Sequence, residues 1–431
     1  MDNIQMTPRL LAFQLLQKTE KTKQYSNIAL DHALEINKMT PADNRLASVL
    51  FYGTIERKIT LDYRISNLTS RTPKEIDPET LTAIRIGLYQ LMYLDRIPPH
   101  AAINESVSLA PKRSRGFVNA VLRSHTRTPL TEPPQDDIEK YISIKYSVCT
   151  ELAAKFLSEF GLQSTEDILS GFMREPETTL RVNTLRISVE ELLKNIPHSG
   201  KTPNAPCGIY AKGSVRELFG FEEGDFFVQD EASQLCVEAL DAKEGQLILD
   251  ICSCPGSKSF GSAVKMNNRG RILAFDLHEN KLPLVRNGAK RLGIEIIETT
   301  AADGRNFIPD LEGTADRVLC DVPCSGFGII SKKPELRYKD PAESAGLPEI
   351  QSKILDNSCK YVKQGGILVY STCTLLPDEN ENNILSFLKR HPEFKLCPFK
   401  VGNIDAADGL ITLFPHIHKT DGFFIAKLIR K

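Results

Sequence analysis

The chain has 431 residues, of which 41% are hydrophobic and 25% are charged, and its formal net charge is −1. It is long enough for two or three domains, and its ten dispersed cysteines are too few for a disulfide framework. No apolar run approaches the roughly 18 residues of a membrane span, and Asp2 with no small-residue cleavage site after it argues against a signal peptide. We therefore expect a cytoplasmic protein with reduced thiols and no membrane partner.

Positive charge is concentrated in the first part of the chain. Residues 1–130 contain 18 Lys or Arg against 12 Asp or Glu, whereas the remainder contains 36 against 43. The first block therefore has a net charge of +6 and the remainder −7. A basic block joined to an acidic remainder indicates an anionic partner for the block.

The first 130 residues are predicted to be helical. Apolar residues recur at helical spacing in "PRLLAFQLLQK" (8–18) and in "LTAIRIGLYQLMYL" (81–94), and no alternating strand pattern occurs in this block. The prolines and acidic residues of 126–137 indicate a linker. We predict an all-α domain over residues 1–130.

Residues 138–235 are predicted to form a small α/β module of the RRM-like kind. "YSVCTELAAKFLSEFG" has the pattern of a helix that Gly161 ends, and residues 178–187 alternate as a strand does. Ser188 followed three positions later by Glu191 is typical of a helix N-terminus, because the serine can cap the first turn.

From residue 236 onwards, short apolar runs alternate with helical stretches. This alternation is typical of a doubly wound sheet with parallel strands, so we predict an α/β domain over residues 236–431. Two strands in succession within 409–430 predict a hairpin at the sheet edge. The predicted parallel strands lie at 246–252, 271–277, 294–303, 316–322 and 366–372.

Ligands of such sheets bind beyond the carboxyl ends of the strands, and the residues found there favour a nucleoside. The first strand enters a helix through "DICSCPGSK" (250–258), where small residues let backbone N–H groups approach a ligand. The second strand ends at Asp276, which can accept hydrogen bonds from ribose hydroxyls, and the third ends at Asp303. No G-x-G-x-x-G or Walker sequence supplies a phosphate cradle. S-adenosylmethionine is therefore the favoured cofactor, with a dinucleotide as the alternative.

Cys324 and Cys373 differ from the other cysteines because each follows a predicted strand, at the edge where a ligand should bind. Cysteines within apolar runs are expected to be small core residues. Cys252 and Cys254 form a C-x-C pair with no second pair or neighbouring histidines, so no metal site is predicted.

Several motifs resemble those of the RNA cytosine-5 methyltransferases: "DVPCSGFG" (321–328), "YSTCT" (370–374), "CSCPGSK" and "TDGFF" (420–424). "AIRIGLYQLMYLDRIPPHAAINESV" and "GFVNAVLR" (116–123) resemble the NusB-type RNA-binding domain that precedes the catalytic domain in one branch of that family. The resemblance covers nearly the whole chain. One departure is Ser257, where the family usually has a glycine.

The resemblance implies a Rossmann-like, S-adenosylmethionine-dependent enzyme that methylates carbon 5 of a cytosine in small-subunit (16S) ribosomal RNA. Addition of a thiolate to carbon 6 activates carbon 5, and cysteine suits this step because it is a good nucleophile that can also leave. By resemblance, Cys373 in the Thr-Cys motif attacks carbon 6, and Cys324 in the Pro-Cys motif assists release of the product. Asp321 is implied to bind the cytosine edge, and Lys258 to lie near the cofactor and the base.

The resemblance also implies a set of ligand contacts in a protein that we expect to be a monomer. The cofactor is expected to contact Cys252, Ser253, Cys254, Pro255, Gly256, Ser257, Lys258, Asp276, Asp303 and Asp321. Basic residues of the N-terminal block and of the stretch after the Pro-Cys motif are expected to bind RNA phosphates, namely Arg113, Arg115, Arg123, Lys332, Lys333 and Arg337.

Three other interpretations stay open on the sequence. They are a non-catalytic NusB-like RNA-binding factor, a 5-methylcytosine methyltransferase of another RNA such as tRNA, and a DNA cytosine methyltransferase. The presence of both cysteines, Asp321 and Lys258 argues against the first. The DNA enzymes place their nucleophile in the Pro-Cys motif, so the Thr-Cys motif and the NusB-like domain argue against the last.

Overall fold

The structure is a computed structural model that describes residues 6–22, 26–174 and 177–431. Within these ranges, no helix is both long enough and apolar enough to cross a membrane. Asp2, on which the expectation of no signal peptide partly rests, lies outside the described residues. The chain divides into two compact units, which are taken in turn.

The first unit is helical, as predicted for the N-terminal domain, and comprises Met1–Met173 with the returning segment Ile330–Pro341. Its helices begin where the sequence supplies caps. Thr40 and Asp77 each accept a hydrogen bond from the first turn of a helix, and a proline follows each of them at the first helical position. The helices are α1 (Pro8–Thr22), α2 (Ser26–Asn37), α3 (Pro41–Glu56), α4 (Lys58–Thr69), α5 (Pro78–Tyr93), α6 (Pro99–Leu109), α7 (Arg115–His125), α8 (Ile138–Tyr146) and α9 (Thr150–Gly171).

Two ion pairs made by one buried arginine join three of these helices. Arg85 of α5 is buried and donates to Asp62 of α4 at 2.7 Å and to Glu20 of α1 at 3.0 Å. Such charge-assisted bonds satisfy a guanidinium that would be costly to bury alone. Gly161 breaks the helical backbone of α9 with φ 72°, as predicted, and a second helical stretch follows it.

The segment Ile330–Pro341 corrects one of the predicted RNA contacts. Arg337 is 0% exposed and donates to the carbonyl oxygens of Tyr146 at 3.1 Å and Phe172 at 3.0 Å. A guanidinium buried against two carbonyl groups is not available to phosphates, so the prediction that Arg337 binds RNA is wrong. These bonds also hold α8 and α9 in the first unit, whereas the sequence grouped residues 138–173 with the middle module.

The second unit, Arg174–Ile329 with Ala342–Lys431, begins with the predicted small α/β module. Its antiparallel sheet has the order β2-β3-β1-β4 and packs against helix α10 (Val189–Asn195). Ser188 caps α10 by accepting from the Glu191 N–H, as predicted. The strands are β1 (Thr178–Val182), β2 (Gly200–Lys201), β3 (Gly208–Ala211) and β4 (Phe226–Val228).

The rest of the second unit is a larger mixed sheet in the order β10-β14-β9-β8-β5-β6-β7, with β13 beside β14 and a separate ribbon of β11 and β12. Its strands are β5 (Leu247–Asp250), β6 (Arg271–Asp276), β7 (Ile297–Ala301), β8 (Ala315–Asp321), β9 (Val362–Thr372), β10 (Phe394–Leu396), β11 (Phe399–Val401), β12 (Ile404–Ala406), β13 (Leu410–Leu413) and β14 (Phe423–Arg430). Strands β5 to β9 pair in parallel, and β14 pairs antiparallel with β9 and β13. The predicted parallel sheet and C-terminal hairpin are both confirmed.

Helices cover both faces of this sheet, which is why its central strands are apolar on both sides. Successive residues point to opposite faces: Ile248 packs with residues of α11, α12 and α13, and Leu249 with residues of α14 and α15. These helices are α11 (Glu231–Leu240), α12 (Ser257–Lys265), α13 (Leu282–Leu292), α14 (Leu347–Ser358) and α15 (Glu381–Arg390), and α16 (Pro415–His418) follows.

Strand order reverses next to β5. The chain runs from β5 outward to β6 and β7, and then returns to the other side of β5 with β8 and β9. In sheets of this kind, ligands bind beyond the carboxyl ends of the strands at such a reversal. The residues that follow β5, β6, β8 and β9 are therefore the candidates for a site.

Candidate active site

The turn between β5 and α12 requires glycine at one position. Gly256 has φ 109°, which residues with a side chain rarely adopt, and a Cβ there would lie 2.6 Å from the Phe260 ring. Ser257 is the first residue of α12 and so has a helical backbone. The serine that departs from the family pattern is therefore accommodated without backbone strain.

Two buried polar atoms near this turn fit a bound polar molecule. Asp250, at the end of β5, is 1% exposed, and its Oδ2 accepts from Ser259 Oγ at 2.6 Å. Among the described residues, neither Asp250 Oδ1 nor Ser253 Oγ has a hydrogen-bond partner. Burial raises the pKa of Asp250 to about 7. Because unpaired buried polar atoms are costly, a ligand that bonds these two atoms would suit this edge of the sheet.

The two aspartates predicted at strand ends differ in their surroundings. Asp276 ends β6, and its carboxylate accepts from the Cys254 N–H at 3.3 Å and from the His278 N–H at 2.9 Å. It is partly exposed, so each oxygen can still accept from a ribose hydroxyl. Asp303 forms an ion pair with Arg305, with Oδ2 2.6 Å from the guanidinium. The contacts of both aspartates with a cofactor stay predictions.

The structure brings Cys324 and Cys373 together. Their Sγ atoms lie 3.1 Å apart, and the Cys373 N–H donates to Cys324 Sγ at 3.3 Å. The two residues lie on what we call the Pro-Cys loop (322–328) and the Thr-Cys loop (372–376). The hydrogen bond with Cys373, together with burial, raises the pKa of Cys324 well above its usual value. Cys324 is therefore a protonated thiol in contact with Cys373.

Lys258 and Asp321 form an ion pair at the carboxyl end of β8. Lys258 Nζ lies 2.7 Å from Asp321 Oδ2, and Asp321 Oδ1 accepts from Ser371 Oγ at 2.8 Å. Lys258 Nζ also lies 5.2 Å from the centre of the Phe423 ring. Burial opposes the charge of Lys258, but the charge and hydrogen bond of Asp321, together with interactions with nearby cysteines, outweigh it and raise the pKa of Lys258 above its usual value. Lys258 is thus a cation whose charge also interacts with Cys373.

Comparisons with known proteins identify the family. The family model described as 16S rRNA methyltransferase RsmB/F matches residues 237–429, and the NusB family model matches residues 6–127. A Bacillus subtilis (strain 168) protein named probable ribosomal RNA small subunit methyltransferase B is 36% identical, over 98% of this chain and 98% of its own. The chain belongs to the RsmB/F family.

Solved structures resembling this RsmB/F protein support the same fold. The crystal structure of PH0851 has a TM-score of 0.81 and 27% identity, and the match covers 99% of each chain. NSun6 from Pyrococcus horikoshii, solved with SFG, has a TM-score of 0.58 and 25% identity over 65% of this chain and 97% of its own. The predicted NusB-like helical domain and Rossmann-like methyltransferase domain are confirmed, and this RsmB/F member is a methyltransferase.

The basic residues predicted to bind RNA in this RsmB/F protein, other than the buried guanidinium, lie at the surface. Arg113, Arg115 and Arg123 are exposed, as a surface that contacts phosphates requires. Lys332 and Lys333 are partly exposed. Their contact with RNA stays a prediction.

One group of possible metal ligands occurs among the described residues of this RsmB/F protein, and it does not include the C-x-C pair of Cys252 and Cys254. It consists of Cys359, His391 and Glu393, whose ligand atoms lie within 4.8 Å of one another. His391 Nδ1 lies 3.1 Å from Glu393, and Nε2 lies 3.1 Å from Asp356. Both ring nitrogens of His391 are thus already engaged by neighbouring carboxylates, so no metal ion is needed to account for this group.

Sequence reasoning missed four residues around the RsmB/F site. Asp250 ends a strand, so the rule that selected Asp276 applied to it equally. Ser371 binds Asp321, but its role depends on the pairing of β8 with β9. Gln351 and Glu379 had no sequence signal, because they contact the Pro-Cys loop from residues 28 or more positions away.

Proposed function

We propose that this protein transfers a methyl group from S-adenosylmethionine to carbon 5 of a cytosine in small-subunit ribosomal RNA. The observation that carries the proposal is the contact of Cys324 with Cys373, whose Sγ atoms lie 3.1 Å apart. Two thiols in contact suit a reaction that needs one nucleophile and one separate proton carrier. Membership of the RsmB/F family, and a relative named for small-subunit ribosomal RNA, support the substrate.

S-adenosylmethionine would supply the methyl group to this site. Asp276 would accept hydrogen bonds from its ribose hydroxyls, and the backbone of 252–257 would approach it closely because of Gly256. Asp250 and Ser253 would gain the partners that they lack within the described part of the chain. We also propose the contacts with Lys258, Asp303 and Asp321 that the resemblance implies.

Cys373 would form a bond from its sulfur to carbon 6 of the cytosine, which makes carbon 5 nucleophilic. Asp321 would bind the edge of the base, and its carboxylate is held in place for this by Lys258 and Ser371. Lys258, held beside Asp321 by their ion pair, would lie next to the base while Cys373 attacks it.

Release of the product requires loss of the carbon 5 proton and cleavage of the bond from carbon 6 to sulfur. Once Cys373 is bonded to carbon 6, it no longer supplies the hydrogen bond and the charge that raise the pKa of Cys324. Cys324 can then lose its own proton to solvent water and, as a thiolate, accept the proton from carbon 5. The electron pair of that C–H bond restores the ring double bond as the Cys373 thiolate leaves.

The remaining parts of the proposal concern the partner RNA. The basic N-terminal domain, with Arg113, Arg115 and Arg123 exposed, would bind the RNA backbone, and Lys332 and Lys333 would add contacts. We expect the protein to act as a cytoplasmic monomer, without a metal ion.

The two thiols provide the test. Cys373→Ala should be inactive and form no covalent complex with RNA, because the attacking sulfur is absent. Cys324→Ala should still attack and transfer the methyl group, and then stall as a complex that migrates slowly on a denaturing gel. The double variant should show no such band. Cys397→Ala, a change at a partly exposed cysteine, serves as the control and should behave as the wild type.

Bisulfite sequencing then identifies the modified nucleotide. A 16S position that is protected in the wild type should lose protection in a strain that lacks the protein. A stalled complex in Cys373→Ala would make Cys324 the nucleophile, and full activity in both single variants would refute the thiol mechanism. Protection lost only in tRNA would leave the chemistry intact and overturn the ribosomal substrate.

A further inference from the structure

Glu379 is a carboxylate buried between the two cysteine loops. It is 2% exposed and ends the short turn Pro377–Glu379 that follows the Thr-Cys loop. Its Oε2 accepts from the Ser325 N–H at 2.9 Å and from Gln351 Nε2 at 2.8 Å. The chemistry proposed for the cysteines does not use this group. A buried carboxylate is costly, so its hydrogen bonds point to a task of its own.

The hydrogen bonds of Glu379 lead to both neighbours of Cys324. Ser325, on one side of Cys324, donates its backbone N–H directly to Glu379. Gln351 of α14 donates to Glu379 and also to the carbonyl oxygen of Pro323, on the other side, at 3.0 Å. The backbone is therefore fixed immediately before and immediately after the thiol.

We propose that Glu379 is a positioning residue that holds Cys324 against Cys373. Its Oε2 anchors Ser325, and Gln351 extends the anchor to Pro323, so the Pro-Cys loop is fixed relative to the Thr-Cys loop. The 3.1 Å contact between the two Sγ atoms depends on this arrangement. After the bond with Cys373 and burial, the charge of Glu379 is a further cause of the raised pKa of Cys324.

This inference rests on the proposed function, in which Cys324 releases the methylated product. A loosened Pro-Cys loop should slow release more than attack, because the attacking sulfur lies on the other loop. The anchor is an acceptor oxygen, so a neutral amide that keeps this oxygen should be sufficient. Glu379 Oε1 has no hydrogen-bond partner among the described residues. In Glu379→Gln, the amide nitrogen can therefore occupy the position of Oε1 without breaking a hydrogen bond.

The experiment compares Glu379→Ala and Glu379→Gln with the wild type and with Cys324→Ala. Asp378→Ala is the matched control, because it removes an exposed carboxylate from the same turn. Each protein is mixed with ribosomal RNA and S-adenosylmethionine. Methyl transfer in one turnover and the lifetime of the covalent complex on a denaturing gel are both measured.

Glu379→Ala should transfer the methyl group and then release RNA about 10- to 100-fold more slowly, the scale expected when hydrogen bonds to a charged group are lost. Its gel should show the slow band of Cys324→Ala. Glu379→Gln and Asp378→Ala should release RNA at close to the wild-type rate. A general loss of structure would instead reduce methyl transfer and complex formation together.

Wild-type release in Glu379→Ala, with the band still present in Cys324→Ala, overturns this inference alone. Absence of the band in Cys324→Ala overturns the proposed function instead. If Glu379→Gln stalls as Glu379→Ala does, release depends on the negative charge of Glu379, and the proposal that its oxygen only positions Cys324 is refuted. Should Glu379→Ala fail to fold, Gln351→Leu removes the anchor of Pro323 and one donor to Glu379 but keeps the bond from Ser325. Unchanged release in that variant also overturns the inference.

Discussion

Replacement of Gly256 by alanine should damage the site through the turn that follows β5. The backbone there has φ 109°, and a Cβ would lie 2.6 Å from Cζ of Phe260. The ring has little room to move away. It contacts Phe227 edge to face at 5.7 Å, and a Cβ at Gly288 would lie 2.5 Å from the same Cζ atom. The alanine is therefore expected to add backbone strain and overpacking at once.

The two costs can be estimated separately. A left-handed backbone costs a residue with a side chain about 1–2 kcal/mol, and overpacking of a well-packed core costs about 1–3 kcal/mol. Gly256→Ala should thus lose about 2–5 kcal/mol of local stability. Ser257→Gly, at the next position, changes a helical residue and should cost no more than about 1 kcal/mol.

Native-state hydrogen exchange at the amides of α12 measures this local stability directly. Calorimetry with S-adenosylmethionine then measures whether the turn still binds the cofactor. We expect faster exchange and weaker binding in Gly256→Ala, and little change of either in Ser257→Gly. Unchanged exchange in Gly256→Ala would show that the turn does not require glycine at position 256. Tenfold tighter binding in Ser257→Gly would show that position 257 limits cofactor binding instead.

Three further predictions concern cofactor binding, RNA binding and the pH dependence of stability. Asp276→Ala should weaken S-adenosylmethionine binding by about 1–3 kcal/mol, because ribose hydroxyls lose their acceptor; equal affinity by calorimetry in a folded variant would contradict this. Replacing Arg113, Arg115 and Arg123 by Gln should lower the slope of RNA affinity against salt by about 0.7 per lost phosphate contact, and an unchanged slope would exclude this surface. Burial raises the pKa of Asp250 to about 7, so the native state holds a proton that the unfolded chain loses near pH 4. The free energy of unfolding from urea titrations should therefore fall as pH rises from about 4 to about 7. Asp250→Asn should flatten that slope, and an equal slope in the variant would contradict the assignment to Asp250.

The local elements and the motifs could be predicted from the order of the residues. Apolar spacing predicts the helices of the first unit and the strands β5 to β9, because each pattern depends only on neighbouring residues and on which face is buried. The strand-end rule and the family resemblance together selected Cys324, Cys373 and Asp321. The helix cap at Ser188 is equally local, since one side chain satisfies the turn that follows it.

Which of these residues meet depends on the way the elements pack together. The order of the strands places β8 beside β5, so Lys258 reaches Asp321 although 63 positions separate them. Arg337 looked like a surface cation, but the segment that contains it packs against α8 and α9, where two carbonyl groups take its hydrogen bonds. No sequence pattern predicted a role for Glu379, because its role depends on burial and on contacts with Ser325 and Gln351. Such contacts join residues far apart in sequence, and they exist only because the packing of the sheet and helices excludes water from the groups that it brings together.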